Sequence, residues 1–230
     1  MHNVRKARPS IGLLEDILMI RGIFLDMDGV LTEERSSWNY VHKRLGIDNS
    51  RNFQLYREKK ISYSDFFRRD IASWLDKYPD ITGSEIKKIL DEIPEMHGLE
   101  HFMSFLHSKH ILVFVVSGGI SWLASRLNEK YNFDEIYANE IITYKDKIQI
   151  KGNIYVEPDR KNIPIEKLMD KYNINKFESI AVGDSDSDYS MYAATGNFIA
   201  FNSQSEKLKR ISIANIDSDI SKVADYINLN

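Results

Sequence analysis

The first uninterrupted apolar run, Gly22-Ile23-Phe24-Leu25, ends in a polar, glycine-containing turn, Asp26-Met27-Asp28-Gly29. A short run of this kind reads as a buried parallel strand. The period then changes: Trp38, Val41 and Leu45, then Phe67, Ile71, Trp74 and Tyr78, then Ile86, Ile89, Leu90 and Ile93 fall at helical spacing. Residues 33–95 are therefore expected to form a helical block. Pro79 ends one of its helices, Thr82-Gly83-Ser84-Glu85 resembles a capping box that opens the next, and Pro94 closes the block. Strands and helices alternate afterwards. The pattern predicts a helix over Leu99–Ser108, a strand over Ile111–Val116, a helix over Ile120–Tyr131 and a polar hairpin around Lys145-Asp146-Lys147. A helix over Ile163–Tyr172, the strand Ser179–Val182 and a helix ending at Gly196 follow. This rhythm implies an α/β fold with a doubly wound parallel sheet. Its core is expected to use residues 1–32 and 96–230, with 33–95 as an insertion. Residues 1–18 read either as an added amphipathic helix using Ile11, Leu14, Ile17 and Leu18, or as a stretch preceding a start at Met19.

Composition narrows the function classes. The 230 residues, 43% of them hydrophobic, suffice for one α/β core with a smaller module. A net charge of −3, from 31 basic and 34 acidic residues, gives no general attraction to nucleic acid or to an anionic membrane. The block 33–95 is equally balanced, with twelve basic and twelve acidic residues, which argues against a basic nucleic-acid groove. Its aromatic residues, among them Trp38, Tyr56, Tyr63, Phe67 and Trp74, are expected to be mainly helix–helix core. The absence of cysteine removes disulfides, thiolate nucleophiles and cysteine-based zinc sites, and fits a cytoplasmic location. Arg5-Lys6-Arg8 resembles a signal n-region, but Glu15 and Asp16 interrupt the apolar stretch behind it. No window approaches the roughly 20 apolar residues of a membrane span.

Candidate chemistry lies at the ends of three strands. A parallel sheet gathers Asp26 to Thr32, Ser117-Gly118-Gly119 and Gly183-Asp184-Ser185-Asp186-Ser187-Asp188 at one edge. Ionised at neutral pH, Asp26 and Asp28 suit a nucleophile or a ligand for a hard cation, although an ordinary aspartate turn has the same residues. Ser117 is expected at a strand-to-helix junction, where a hydroxyl, free amides and the helix terminus form either a phosphate site or a plain N-cap. The acids Asp184, Asp186 and Asp188 need a counter-charge, which magnesium with oxygen ligands would supply. Lys161 is the remaining cation, by default a surface residue. His97 and His101, and His107 and His110, have spacings that suit zinc on one helix, but an ordinary amphipathic helix explains them better.

Taken together, Asp26-Met27-Asp28-Gly29-Val30-Leu31-Thr32, Val116-Ser117-Gly118-Gly119, Lys161 and Gly183-Asp184-Ser185-Asp186-Ser187-Asp188 resemble the four motifs of the haloacid dehalogenase-like phosphohydrolase superfamily. The chain is most similar to its phosphoserine phosphatase-like branch. The resemblance covers essentially everything after residue 20. It implies a Rossmann-like core with a helical cap of the C1 type over residues 33–95, and a magnesium-dependent phosphatase acting on a small phosphorylated metabolite. Asp26 would be the nucleophile that forms an aspartyl-phosphate and also a metal ligand. Asp28 would be the general acid/base and would offer its backbone carbonyl to the metal. Ser117, the amide of Gly118 and Lys161 would hold the phosphoryl oxygens. Asp184 would complete the metal site, with Asp188 a ligand or an anchor behind it that orients Lys161. Asp186 is expected on the solvated surface.

The block 33–95 departs from that branch. The positions expected to carry a glutamate for the substrate amine and an arginine for its carboxylate are Arg35 and Asp70 in a gap-free register. Glu33, Glu34, Arg68 and Arg69 lie close enough for a small shift to restore both charges. Ser187 also stands where the branch commonly has asparagine. Phosphoserine is thus one expected substrate beside other small phosphate monoesters. A phosphotransferase or sugar-phosphate mutase on the same fold, and a non-catalytic phosphate-binding protein, are the alternatives.

Overall fold

The computed structural model describes residues 19–227, so the two readings of residues 1–18 lie outside it. Its centre is β1 (Gly22–Leu25), a strand buried along its whole length. Successive side chains of a strand point to opposite faces, and here both faces are covered. Ile23 and Leu25 join one apolar cluster, with Val113, Val115, Ile180 and Val182. Phe24 joins the other, with Phe114, Val116 and Ala181. Seven strands form one sheet in the order β4-β3-β2-β1-β5-β6-β7. The strands are β2 (Leu112–Ile120), β3 (Glu135–Tyr144), β4 (Lys147–Asn153), β5 (Ser179–Gly183), β6 (Phe198–Phe201) and β7 (Ala214–Ile216). Only β4 runs antiparallel. The chain leaves β1 towards β2 and β3, then returns to place β5 on the other flank, so the strand order reverses beside β1. Ligands of open α/β sheets bind at such a point, beyond the carboxyl ends of the strands.

One face is covered by α5 (Leu99–Ser108), α6 (Ser121–Tyr131) and α10 (Val223–Ile227), and the other by α7 (Asn162–Tyr172), α8 (Tyr189–Thr195) and α9 (Glu206–Ile211). The doubly wound sheet expected from the sequence is thereby observed. Between β1 and α5 the chain forms α1 (Ser37–Arg44), α2 (Ser50–Arg57), α3 (Tyr63–Lys77) and α4 (Gly83–Asp91). The segments entering and leaving this insertion lie side by side, with Glu33 N donating to Pro94 O at 3.1 Å and Met96 N to Leu31 O at 2.9 Å. The capping box read at Thr82 and Glu85 opens α4. That helix start is also held by the β3–β4 hairpin, because Asp146 accepts from Gly83 N through its carbonyl at 2.8 Å and from Ser84 N through its carboxylate at 3.0 Å.

Two sequence expectations are corrected here. The second strand runs on to Ile120 rather than ending at Val116, so Ser117 lies within it and not at a strand-to-helix junction, while the helix expected from Ile120 begins at Ser121. The four histidines do not share one helix. His97 precedes the N-cap Gly98 of α5, and His110 lies beyond its C-cap Lys109 in a left-handed conformation at φ 55°. Among the described residues, no helix is long and apolar enough to cross a membrane.

Candidate active site

Strand register assembles the site. Leu25 is paired with Val115 on one side and Val182 on the other. The residues that follow, Asp26, Val116-Ser117 and Gly183-Asp184, therefore stand at nearly one level of the sheet. After β1 the chain folds tightly over itself: the amides of Leu31 and Thr32 both donate to Met27 O, at 2.9 and 3.1 Å. Gly29 N donates to Glu34 O at 2.8 Å. Gly29 has φ +79°, and a Cβ there would lie 2.5 Å from Asp184 Oδ2, so both conformation and space call for glycine. On β2 the pairing with β3 slips: Val116 faces Tyr137, yet Ile120 faces Asn139. Ser117, Gly118 and Gly119 occupy that slip as a bulge, a feature that often re-aims groups beside a site.

Lys161 is buried at the start of α7, and its Nζ lies 2.7 Å from Asp26 Oδ2 and 2.6 Å from Asp188 Oδ1. The other oxygen of Asp188 accepts from Asp184 N, Ser185 N and Ser185 Oγ at 3.0, 3.0 and 3.2 Å. Asp188 thus clamps the turn after β5 and aims Lys161. Asp26 Oδ1 accepts from Met27 N at 2.8 Å. Asp28 Oδ2 accepts from both the amide and the hydroxyl of Ser37 at 2.9 Å, and that hydroxyl accepts from Ile120 N at 3.1 Å. Gly119 admits this contact, since a Cβ there would lie 2.7 Å from Asp28 Oδ2 and 2.8 Å from Ser37 Oγ. Asp28 Oδ1, also buried, has no hydrogen-bond partner among the described residues.

The electrostatics follow from burial. Taking Asp28 out of water pushes its pKa up to about 7 against the hydrogen bonds of Ser37. Burial, then the charges of Asp188 and Asp26, push Asp184 up to about 8. Burial raises Asp26 as well, despite the attraction of Lys161. For Lys161, burial acts to lower the pKa, but the attraction of Asp188 and Asp26 prevails and holds the ammonium above its ordinary value.

Four buried carboxyl groups, Asp26, Asp28, Asp184 and Asp188, thus face one buried cation, Lys161. Asp26, Asp184 and Asp188 bring oxygens within 4.8 Å of one another, the one such group of three among the described residues. The carboxylate of Asp184 makes no hydrogen bond among the described residues, and its nearest cation is the half-exposed Arg35, 3.9 Å away. Excess negative charge on hard oxygen donors fits a hard dication. The cluster therefore has the donor set to hold a metal ion.

The structure brings together Asp26, Asp28, Ser117, Gly118, Lys161, Asp184 and Asp188, and of the expected specificity residues it brings the side chain of Arg35 alone to them, 3.9 Å from Asp184. Glu33, Arg68 and Arg69 are exposed, and Arg68 pairs with Asp65 at 2.5 Å. Glu34 contributes its carbonyl to the first turn, and Arg35 donates to Asn202 O. Asp70 is buried inside the insertion. It accepts from Asn49 Nδ2 at 2.7 Å and lies 3.4 Å from His42 Nε2, while His42 Nδ1 accepts from Trp74 Nε1 at 3.0 Å. Asp186 is exposed, as expected.

Two site residues were not anticipated. Ser37 carried a visible signal, since paired serines stand just before a helical run, and its neighbour Ser36 is the N-cap of α1. Asn139 carried none, being one polar residue inside a strand. Its Oδ1 accepts from Tyr155 N and Val156 N at 2.9 and 3.0 Å, and its Nδ2 lies within donating distance of Tyr63 OH, Gly118 O and Val156 O.

With this geometry in place, the chain can be set beside known proteins. It matches the haloacid dehalogenase-like hydrolases over residues 23–193. It is 26% identical to a phosphoserine phosphatase of Methanocaldococcus jannaschii, over 74% of this chain and 79% of the relative. It is 31% identical to a phosphoserine phosphatase of Archaeoglobus fulgidus, over 88% of this chain but only 57% of that longer protein. Its fold superposes on a phosphoserine phosphatase solved as a phospho-aspartyl intermediate analogue with a TM-score of 0.76, at 23% identity and covering 90% of this chain and 99% of the other. The match spans the strand ends that carry Asp26, Ser117 and Asp184, and the chain belongs to the haloacid dehalogenase-like hydrolase family.

Proposed function

We propose that the protein is a magnesium-dependent phosphatase that hydrolyses a small phosphate monoester through an aspartyl-phosphate on Asp26. The observation that carries this reading is the pairing of Asp26, held on Lys161, with a second buried acid whose Oδ1 has no partner among the described residues. Asp26 attacks phosphorus in line with the leaving oxygen. Asp28, protonated through its raised pKa, delivers its proton from Oδ1 to the departing alcohol. Asp28, now ionised, takes a proton from water, which attacks the aspartyl-phosphate and frees phosphate and Asp26. Lys161, the Ser117 hydroxyl and the Gly118 amide hold the phosphoryl oxygens, where negative charge is spread in the transition state. Asp26, Asp184 and the carbonyl of Asp28 would hold the magnesium ion, with Asp188 as the anchor behind them. When bound, the ion neutralises charge on the phosphoryl group and on the clustered acids.

Residues 33–95 serve in this reading as a cap over the site, excluding water and contacting the leaving group. Phosphoserine, named in the relatives, is the first ester to test. Inorganic phosphate release from a panel of small esters and from an aryl phosphate, with and without magnesium, tests the reading. Magnesium-dependent release by the wild type, lost in Asp26→Asn, is expected. Label passing to an acceptor sugar phosphate with little free phosphate would instead identify a phosphotransferase.

A further inference from the structure

The carbonyl of Gly118 faces the insertion and meets three donors: Trp38 Nε1 at 3.1 Å, Tyr63 OH at 3.2 Å and Asn139 Nδ2 at 3.1 Å. A carbonyl oxygen has two lone pairs and an amide NH2 group two protons; Asn139 makes its shorter contacts to Tyr63 OH and Val156 O, at 2.9 Å each, so Trp38 and Tyr63 fill the Gly118 acceptor. Asn139 belongs to the sheet and is fixed by its remaining bonds. Trp38 and Tyr63 come from α1 and α3 of the insertion. Asn139 Nδ2 also donates to Tyr63 OH at 2.9 Å, which leaves the phenol proton directed at Gly118. The pKa of Tyr63 is raised by burial, so that proton stays in place.

The same peptide unit reaches the candidate phosphate ligand. Its amide, Gly119 N, donates to Ser117 Oγ at 3.1 Å. A hydroxyl that accepts at its oxygen turns its own proton elsewhere, here towards the place of a phosphoryl oxygen. Donors on a peptide carbonyl polarise the unit and strengthen its N–H as a donor. The sequence of contacts runs from Trp38 and Tyr63, through the Gly118–Gly119 peptide, to the Ser117 hydroxyl.

We infer that Tyr63 and Trp38 are positioning residues that couple the seating of the helical insertion to the phosphate-binding geometry of Ser117. The inference rests on the reading of Ser117 as a phosphate ligand. With the insertion seated, Trp38 and Tyr63 fix the peptide. With it displaced, Asn139 alone holds the carbonyl and the Ser117 proton is less well aimed.

The test is a double-mutant cycle on binding of inorganic phosphate to the full chain with magnesium, using wild type, Tyr63→Phe, Ser117→Ala and the double variant in calorimetric titrations. Tyr63→Phe is expected to weaken phosphate about three- to tenfold, the size of one neutral hydrogen bond. The double variant should bind no more weakly than Ser117→Ala alone. Trp38→Phe, run through the same cycle, should behave alike. Additive losses overturn the inference, as does an unchanged phosphate affinity in Tyr63→Phe with only a lower melting temperature. A wild type that binds no phosphate also overturns it. A non-additive cycle in a protein that releases no phosphate from any ester leaves the coupling standing and removes the phosphatase reading.

Discussion

Asp28 is gripped on one side only, with Oδ2 bound twice by Ser37 and Oδ1 free. That asymmetry fixes its expected pH behaviour. The first chemical step needs the protonated acid, which burial sustains up to about pH 7 in the metal-free protein. The single-turnover rate from an alkyl phosphate should therefore rise as the Asp26 nucleophile ionises, above the ordinary carboxylate range, and fall again as pH rises through the pKa of Asp28. Magnesium at the neighbouring carbonyl favours the carboxylate and moves this limb to lower pH. Ser37→Ala removes a donor that favours ionisation, so at fixed magnesium the limb should move to higher pH. A limb that stays in place or moves down would contradict the assigned role of Ser37. Asp26 and Asp28 were legible because acids beyond an apolar strand are poorly placed for structure. Asn139 was not, because its value comes from four residues, Tyr63, Gly118, Tyr155 and Val156, brought together only by the fold.

At the scale of elements, β1, β2 and β5 were readable because both their faces are buried and their runs are continuous. The strands β6 and β7 were missed, being four and three residues long and joined by a six-residue helix, too short for any period to emerge. The hairpin turn at Lys145-Asp146 was visible, but its role in capping α4 was not, since that contact joins distant parts of the chain. Asp70 shows the limit of reading by register. The position that would supply a substrate-binding arginine instead holds a carboxylate bonded to Asn49 and facing His42 inside the insertion. Replacing Asp70 with alanine should destabilise the protein by about 1.5–3 kcal/mol in denaturant unfolding, because it removes a charged acceptor and strands its donors. Asp70→Arg should cost at least as much and confer no phosphoserine activity. A stable Asp70→Arg protein with improved phosphoserine turnover would contradict the structural role.

For the molecule as a whole, the excess of buried acids links stability to pH and metal. Burial pushes Asp28 up to about 7 and Asp184 up to about 8, from the ordinary aspartate value of 3.8. Between those limits the folded state binds more protons than the unfolded one, so without metal this contribution to stability is present at low pH and lost as pH rises. Magnesium binds the ionised carboxylates and should offset that loss, increasingly so with pH. Melting temperatures from pH 5 to pH 8.5, in chelator and in magnesium, should diverge steadily; parallel curves would remove the metal from the cluster. The central claim is the covalent intermediate on Asp26, and the most direct measurement is an acid-quenched reaction with a labelled aryl phosphate followed by peptide mass spectrometry. Label on the peptide containing Asp26, absent in Asp26→Asn, is predicted; rapid phosphate release with no labelled protein, or label on another residue, would contradict it.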